Sequence, residues 1–499
     1  MNRKTQAKLK LLRSALAAWV GIVVLVTLIG TTNAQTALSI PARNREKGAT
    51  PTAPTNATLT TLVSFNQIDG ESAVSTLAQG TDGNFYGTTY SGGLNEYGTA
   101  FNVTPQGTLT TLYNFSYALG NVDGINPYGG MILGSDGNFY GTTTDGNENE
   151  GTVFKITPEG SLTVLHSFYG SDGKDAEAAL VQAAGGTFYG TTLEGGAYGS
   201  GTIFKITPEG TFTSLHSFCA QTGCPDGSYP LGALIQGMDG NFYGTTEYGG
   251  ANSQGTVFRI TAQGVLTTLY SFCSQTNCTD GAYPQGVLSQ SANGNFYGTT
   301  RFGGANDDGT VFVMTLKGTL TTLHSFDGTD GSGPVAGVLQ ATDGNFYGTA
   351  GNGGTNGNFG TIYRMSPVGK FATLINFDGT NGTWPFGGII QGTDGSFYGE
   401  TDFGGADSSF GTVYNLNVGL APFIETQITS GKVGTPVVVL GTNLSAATSV
   451  TFNGTATKFT IVSSSEITTK VPAGATTGPV VVTMPSGPLT SNRNFTVIH

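Results

Sequence analysis

The sequence is poor in charge, in basic residues and in cysteine. Only 10% of its 499 residues are charged, and 20 are Lys or Arg. Charge this sparse excludes the solvating acidic or basic tails that keep chains disordered. Pro numbers 19 and glycine follows no every-third spacing, which excludes a collagen-like rod. No HExxH, no phosphate-binding loop and no Ser-His-Asp set occurs, so no motif carries those chemistries. Beyond residue 29 no run is apolar enough to cross a bilayer, which takes about 20 residues. Glycine, by contrast, reaches 79 residues, about twice the usual share of roughly 7%. With 37% hydrophobic and 10% aromatic residues, this is a folded, turn-rich, all-β composition.

Five basic residues (Arg3, Lys4, Lys8, Lys10, Arg13) precede an apolar run from Ala15 to Ile29, and Thr32-Asn33-Ala34 follows. That order predicts an export signal over 1–34. An uncleaved N-terminal anchor is the alternative, and either places the rest outside the cytoplasm, secreted or in the cell envelope. Pro, Thr and Ala dominate 35–57, a flexible linker. Without 1–34 the chain carries 15 basic and 32 acidic residues, a balance of −17. Such a surface repels phosphate backbones, so nucleic acid is not an expected partner.

Self-similarity is the dominant signal. Phe-Tyr-Gly recurs with its Tyr at 86, 140, 189, 243, 297, 347 and 398. Each unit holds four β-type runs separated by Gly, Asp or Asn, as in ALIQG, NFYGTT, GTVFRIT and VLTTLYSF between 233 and 272. Four short antiparallel strands per unit, seven times over, predict a seven-bladed β-propeller spanning 58–418. The phase of the repeat leaves an orphan outer strand at Leu59 to Phe65 and a three-strand set at 387–417. The seventh blade is therefore expected to close with the first strand of the domain. A different alternation over 421–499, without Cys, predicts a small antiparallel β-sandwich.

Within that segment, Gly434, then Val437-Val438-Val439-Leu440-Gly441-Thr442-Asn443-Leu444, Val450-Thr451-Phe452-Asn453-Gly454 and Val471-Pro472-Ala473-Gly474 resemble a TIG/IPT immunoglobulin-like domain. The resemblance implies a spacer or interaction module. The repeat, Asp-Gly-Asn-Phe-Tyr-Gly-Thr-Thr followed by Gly-Gly and Gly-Thr-Val-Phe, resembles the bacterial GloVer tandem-repeat proteins, which are exported and bring no activity to carry over. No apolar tail precedes His499, so no C-terminal anchor is expected.

Aligned repeats act as controls for one another. His166, His216 and His324 are replaced by Val63, Tyr113, Tyr270 and Ile375 in the other units, so they read as outer-strand packing residues. Cys219 with Cys224, and Cys273 with Cys278, fit local disulfides in an exported protein, with a four-Cys metal site as the alternative. The turn residues Asp82, Asp136, Asp239, Asp343 and Asp394 give way to Gly185 and Asn293, as no acid catalyst could. One crossover carboxylate in each of six units (Asp69, Asp123, Asp172, Asp226, Asp280, Asp330), with Asn381 in the seventh, is thin for Ca2+, which takes about six to eight oxygens. No cofactor or metal is expected, and Ca2+ is the weaker alternative.

Variation is concentrated before each Gly-Gly, at Tyr90-Ser91, Thr144-Asp145, Leu193-Glu194, Glu247-Tyr248, Arg301-Phe302, Gly351-Asn352 and Asp402-Phe403. These positions, with Tyr128, Tyr229, Tyr283 and Trp384 of the crossovers, are expected on one face. Tyr90, Asp145, Glu194, Glu247, Tyr248, Arg301, Phe302, Trp384, Asp402 and Phe403 are the candidate ligand residues; no catalytic residue is assigned. Aromatics mixed with carboxylates suit a polysaccharide or a surface protein. The first reading is a non-enzymatic binding or scaffold protein. Its rivals are a glycosidase or lyase, which would need two carboxylates about 5–9.5 Å apart, and a purely structural surface protein.

Overall fold

The computed structural model describes residues 57–117, 123–146, 150–183, 185–406 and 410–498; the expected export signal and nearly all of the linker lie outside them. Apart from two three-residue 3-10 turns, Thr276–Cys278 and Leu444–Ala446, all regular structure among the described residues is β.

Six sequence repeats each become one four-stranded antiparallel sheet, paired in chain order. In the fourth these are Ile235–Gln236, Phe242–Thr246, Thr256–Ile260 and Leu266–Ser271. The second strand is buried along its whole length, and the fourth is only partly covered. Glycine inside that buried strand has a packing cause: a Cβ on Gly244 would lie 2.7 Å from the Phe258 ring of the neighbouring strand. One glycine per repeat is thus spent in a strand, not in a turn.

The Phe-Tyr pair bonds the sheets to one another. Adjacent strand residues point to opposite faces, so Phe meets the sheet before and Tyr the sheet after. Tyr86 stacks on Phe139 at 3.9 Å, Tyr140 on Phe188 at 4.0 Å and Tyr189 on Phe242 at 3.9 Å. Tyr243, Tyr297 and Tyr347 continue the series onto Phe296, Phe346 and Phe397. Tyr398 then reaches back to Phe85 at 3.8 Å, and the series of seven ring contacts is closed. The arrangement is a propeller-like ring of sheets.

The seventh sheet draws on both ends of the array. Thr58–Ser64 pairs antiparallel with Thr412–Asn417, and Phe397–Thr401 and Ile390–Gln391 complete it. Closure removes two sheet edges that would otherwise be open to other chains.

Residues 425–498 form a four-stranded and a five-stranded sheet around one core that includes Val437, Val439, Phe452, Ile467, Val482 and Phe495. The expectation of a purely antiparallel sandwich needs one correction. Ser430–Lys432 runs parallel to the last strand, because the first strand breaks after Glu425–Thr426 and its continuation moves to the other sheet. The sandwich rests on the Asp-Gly turns of three repeats. Ser465 Oγ donates to Thr81 O at 2.7 Å, Gln427 Nε2 to Gly134 O at 2.6 Å and Phe423 N to Thr393 O at 3.0 Å. Those turns lie at the start of the second strands, so the ends of the same strands stay uncovered by the sandwich.

Candidate functional site

At the end of each second strand the chain meets the crossover loop of its own repeat in a fixed frame. At one equivalent crossover position every repeat holds a positive φ near 60°: Ser72, Asn126, Asp175, Tyr229, Tyr283, Gly333 and Trp384, all between 53° and 61°. Such φ values disfavour side chains with a Cβ, yet six of the seven are not glycine. The frame explains it, because each of these residues is hydrogen-bonded on both sides. Tyr229 N donates to Ser200 O of the preceding repeat, and its carbonyl accepts from Glu247 N; Tyr283 does the same with Gln254 and Arg301. Backbone is constant and side chains differ.

The candidate pairs divide into two tiers. Ser91, Asp145, Glu194, Tyr248, Phe302, Asn352 and Phe403 form isolated bridges with the crossover residue beside the positive-φ position. Their partners Tyr90, Thr144, Leu193, Glu247, Arg301, Gly351 and Asp402 follow the strand directly. Tyr128 is not equivalent to Tyr229, Tyr283 and Trp384; it stands two places further on, with Val74, Glu177, Leu231, Gln285, Val335 and Phe386. Counting from the Asp-Gly of each crossover would have exposed that register, and with it Glu177 and Gln285, which sequence reasoning missed.

The structure brings several candidates together. Tyr229, Tyr248, Tyr283 and Phe302 touch in series, ring centres 5.7, 5.2 and 5.8 Å apart. The Arg301 guanidinium lies 5.2 Å from the Phe302 centroid, and Glu247 accepts from Gln285 Nε2 at 2.8 Å. Burial raises the Glu247 carboxyl, against the hydrogen bond from Gln285 and the charge of Arg301. Tyr90 packs edge-on against Tyr128 at 5.9 Å, where the charges of Glu177 and Asp402 push the Tyr128 hydroxyl the same way as its burial, upward. Trp384 meets Phe403 at 5.4 Å. Asp402 is 3% exposed, and its Oδ1 has no hydrogen-bond partner. Burial, helped by Glu71 and opposed by Ser72, pushes that carboxyl up to about 7.

Two candidates serve their own loops. Asp145 accepts from Gly146 N, and Glu194 sits 3.6 Å from Lys174, which also pairs with Glu150.

The His residues do more than pack. His166, His216 and His324 bond the crossover carboxylates Asp172, Asp226 and Asp330 at 2.8, 2.9 and 2.8 Å, and Tyr270 OH donates to Asp280 at 2.7 Å. The repeat with Ile375 in this position has Asn381 in place of the Asp. The exchange is not general, since Val63 stands with an unchanged Asp69, which bonds Asn66 instead. Turn residues Asp136 and Asp239 accept from Tyr140 and Tyr243, both at 2.8 Å, and these hydrogen bonds help hold the two carboxyls low against burial.

Both disulfides are formed, Cys219–Cys224 and Cys273–Cys278, in equivalent loops of neighbouring repeats. Among the described residues no cluster of three or more His, Cys, Asp or Glu is placed to hold a metal ion, and no helix is long and apolar enough to cross a membrane. A cavity of about 330 Å³ lies between Ser135 and the sandwich residues Gln427 to Val438, beside the turns rather than the variable residues.

The family model described as the Gloeobacter/Verrucomicrobia repeat matches residues 43–185, 117–279 and 273–462. No curated protein matches the chain. Solved structures that resemble it include a gluconolactonase from Xanthomonas campestris, 12% identical, covering 60% of this chain and 88% of that one, with a TM-score of 0.36. The PQQ-bound aldose sugar dehydrogenase of Streptomyces coelicolor is 14% identical over 58% of this chain and 93% of its own, with a TM-score of 0.39. A protein of unknown function from Bacteroides thetaiotaomicron is 13% identical over 65% and 83%, also at 0.39. These likenesses carry no functional argument.

Proposed function

This chain belongs to the Gloeobacter/Verrucomicrobia repeat family, and we propose that it is an exported binding or scaffold protein of the cell surface. In this reading the ring is a seven-bladed β-propeller, the C-terminal sandwich is a TIG/IPT-like domain, and the partner is a polysaccharide or a surface protein. The observation that carries it is the variety of aromatic and charged side chains at the second-strand ends, on a backbone frame repeated seven times. Binding surfaces are built this way, as variable loops on a rigid scaffold. Two disulfides suit an oxidising compartment outside the cytoplasm.

The test is retention of the full chain on envelope preparations of the cells that make it. Joint replacement of Tyr248 and Trp384 by Ala is expected to abolish retention, and Asp239→Asn on the turn side to leave it intact. Retention indifferent to the face variant would refute the reading. The buried Asp402 favours an enzymatic rival, since a carboxyl held near 7 suits a general acid. Turnover of an envelope polysaccharide that disappears in Asp402→Asn would establish that rival.

A further inference from the structure

We propose that the aromatic row of the fourth and fifth repeats is a platform for a neutral polysaccharide strand. This deepens the reading of the variable face as a recognition surface and rests on it. The row of Tyr229, Tyr248, Tyr283 and Phe302 crosses from one repeat to the next, every contact edge to face. Tyr248 is 41% exposed, a large ring left in water at the middle of the row. A pyranose offers an apolar face of C–H bonds and a rim of hydroxyls. The first stacks on rings, and the second needs acceptors and donors in a half-dry setting. Glu247 and Gln285 supply both beside the row, already bonded to each other at 2.8 Å and so fixed in orientation.

Charge selects among glycans. Glu247 lies beside the row with Arg301 as its nearest cation, and Glu177 and Asp402 act on Tyr128 elsewhere on the same face. A uronate or sulfated strand would add anions to that field and to a chain already at −17 beyond residue 34. A neutral strand brings none. Length selects a polymer over a single sugar, because the row spans two repeats. In the sixth repeat the positions equivalent to Tyr283 and Phe302 are Gly333 and Asn352, so the series of rings ends at Phe302.

The experiment is native affinity electrophoresis of the full chain in gels containing laminarin, mannan or xylan, with polygalacturonate as the anionic control. Retardation by at least one neutral polymer and none by polygalacturonate is expected. Tyr248→Ala and Tyr283→Ala should each weaken it about tenfold, the scale of one lost stacking contact. Glu247→Gln should weaken it less, and Tyr198→Ala, an exposed ring on another loop, not at all. Thermal melting confirms that each variant is folded. If no neutral polymer retards the chain while the face variants still lose envelope retention, the polysaccharide is overturned and the recognition face stands, with a protein as its partner. Retardation unchanged in both Tyr variants overturns the platform, and stronger retardation by polygalacturonate overturns neutrality.

Discussion

Six of the repeated sheets are each made from one continuous stretch of chain, whereas the seventh is assembled from two stretches more than 300 residues apart. The geometry copies the others closely. The register shift between third and fourth strands recurs at the seam, between Thr61 and Val63, as it does between Ile203 and Phe204. The chemistry does not copy them. Thr142, Thr245, Thr299 and Thr349 each donate to a carbonyl of the following repeat, at Ala178, Gly286, Ala336 and Gly387. At the seam the Thr is Glu400 and the Gly or Ala is Ser75, and the two exceptions meet. Ser75 N and Oγ donate to Glu400 Oε2 at 3.1 and 2.9 Å. Four of the covalently connected joints carry this neutral hydroxyl bond and two, at Thr88 and Thr191, leave the hydroxyl unpaired, whereas the joint without a connection carries a buried carboxyl. Burial lifts that carboxyl to about 8, against the two Ser75 hydrogen bonds.

Removing the seam strand should do most damage. A chain beginning at Phe65 leaves Thr412–Asn417 as an open edge and takes Val63 from the core it shares with Val413. Loss of cooperative melting is expected, a large share of the roughly 5–15 kcal/mol that holds a domain; a Tm within a few degrees of the parent would show the seam to be dispensable. Glu400→Gln comes next, and its effect depends on pH. The folded carboxyl at about 8 lies above its unfolded value near 4.5, so the fold retains a proton between them. Its contribution is complete below about 4.5 and is lost as pH rises through 8. Gln should therefore add about 5 kcal/mol at pH 9 and almost nothing at pH 4, read from denaturant titrations at both values. Equal effects at the two pH values would remove the seam's electrostatic distinction.

The continuous repeats allow smaller tests. Replacing Cys219 and Cys224 by Ser opens a loop of sequence separation 5 and should cost about 2 kcal/mol, well below the cost of opening the seam. Tyr243→Phe, which loses the bond to Asp239, should cost about 1 kcal/mol. Tyr297→Phe, in the unit whose turn carries Asn293, should cost less, and the difference between the two melting curves measures the turn carboxylate.

The ring was legible from the sequence because its grammar is local. Alternating β-branched and aromatic residues, Asp-Gly turns and the spacing of Phe-Tyr-Gly mark the strands, and the phase of the repeat implied the seam before any contact was known. The disulfides were legible for the same reason, each joining positions five apart. The candidate face was legible only in part. Variation before each Gly-Gly marked the ends of the second strands, but not that Tyr128 stands two places beyond the position of Tyr229, Tyr283 and Trp384. Glu177 and Gln285 were missed, and Asp145 and Glu194 proved to serve their own loops. Nothing in a one-dimensional pattern distinguishes a carboxylate that caps a turn from one held beside a row of rings.

The sequence by itself determined the number of units, the four strands in each and the turns between them, since these depend on backbone preferences within a few residues. Tertiary structure alone decided that Tyr398 stacks on Phe85, that Ser75 meets Glu400, that the sandwich covers the turn side, and that four rings from two repeats form one row. Those are contacts between residues whose separation along the chain says nothing of their distance. They exist because a closed ring brings every repeat against its neighbours, the last against the first included.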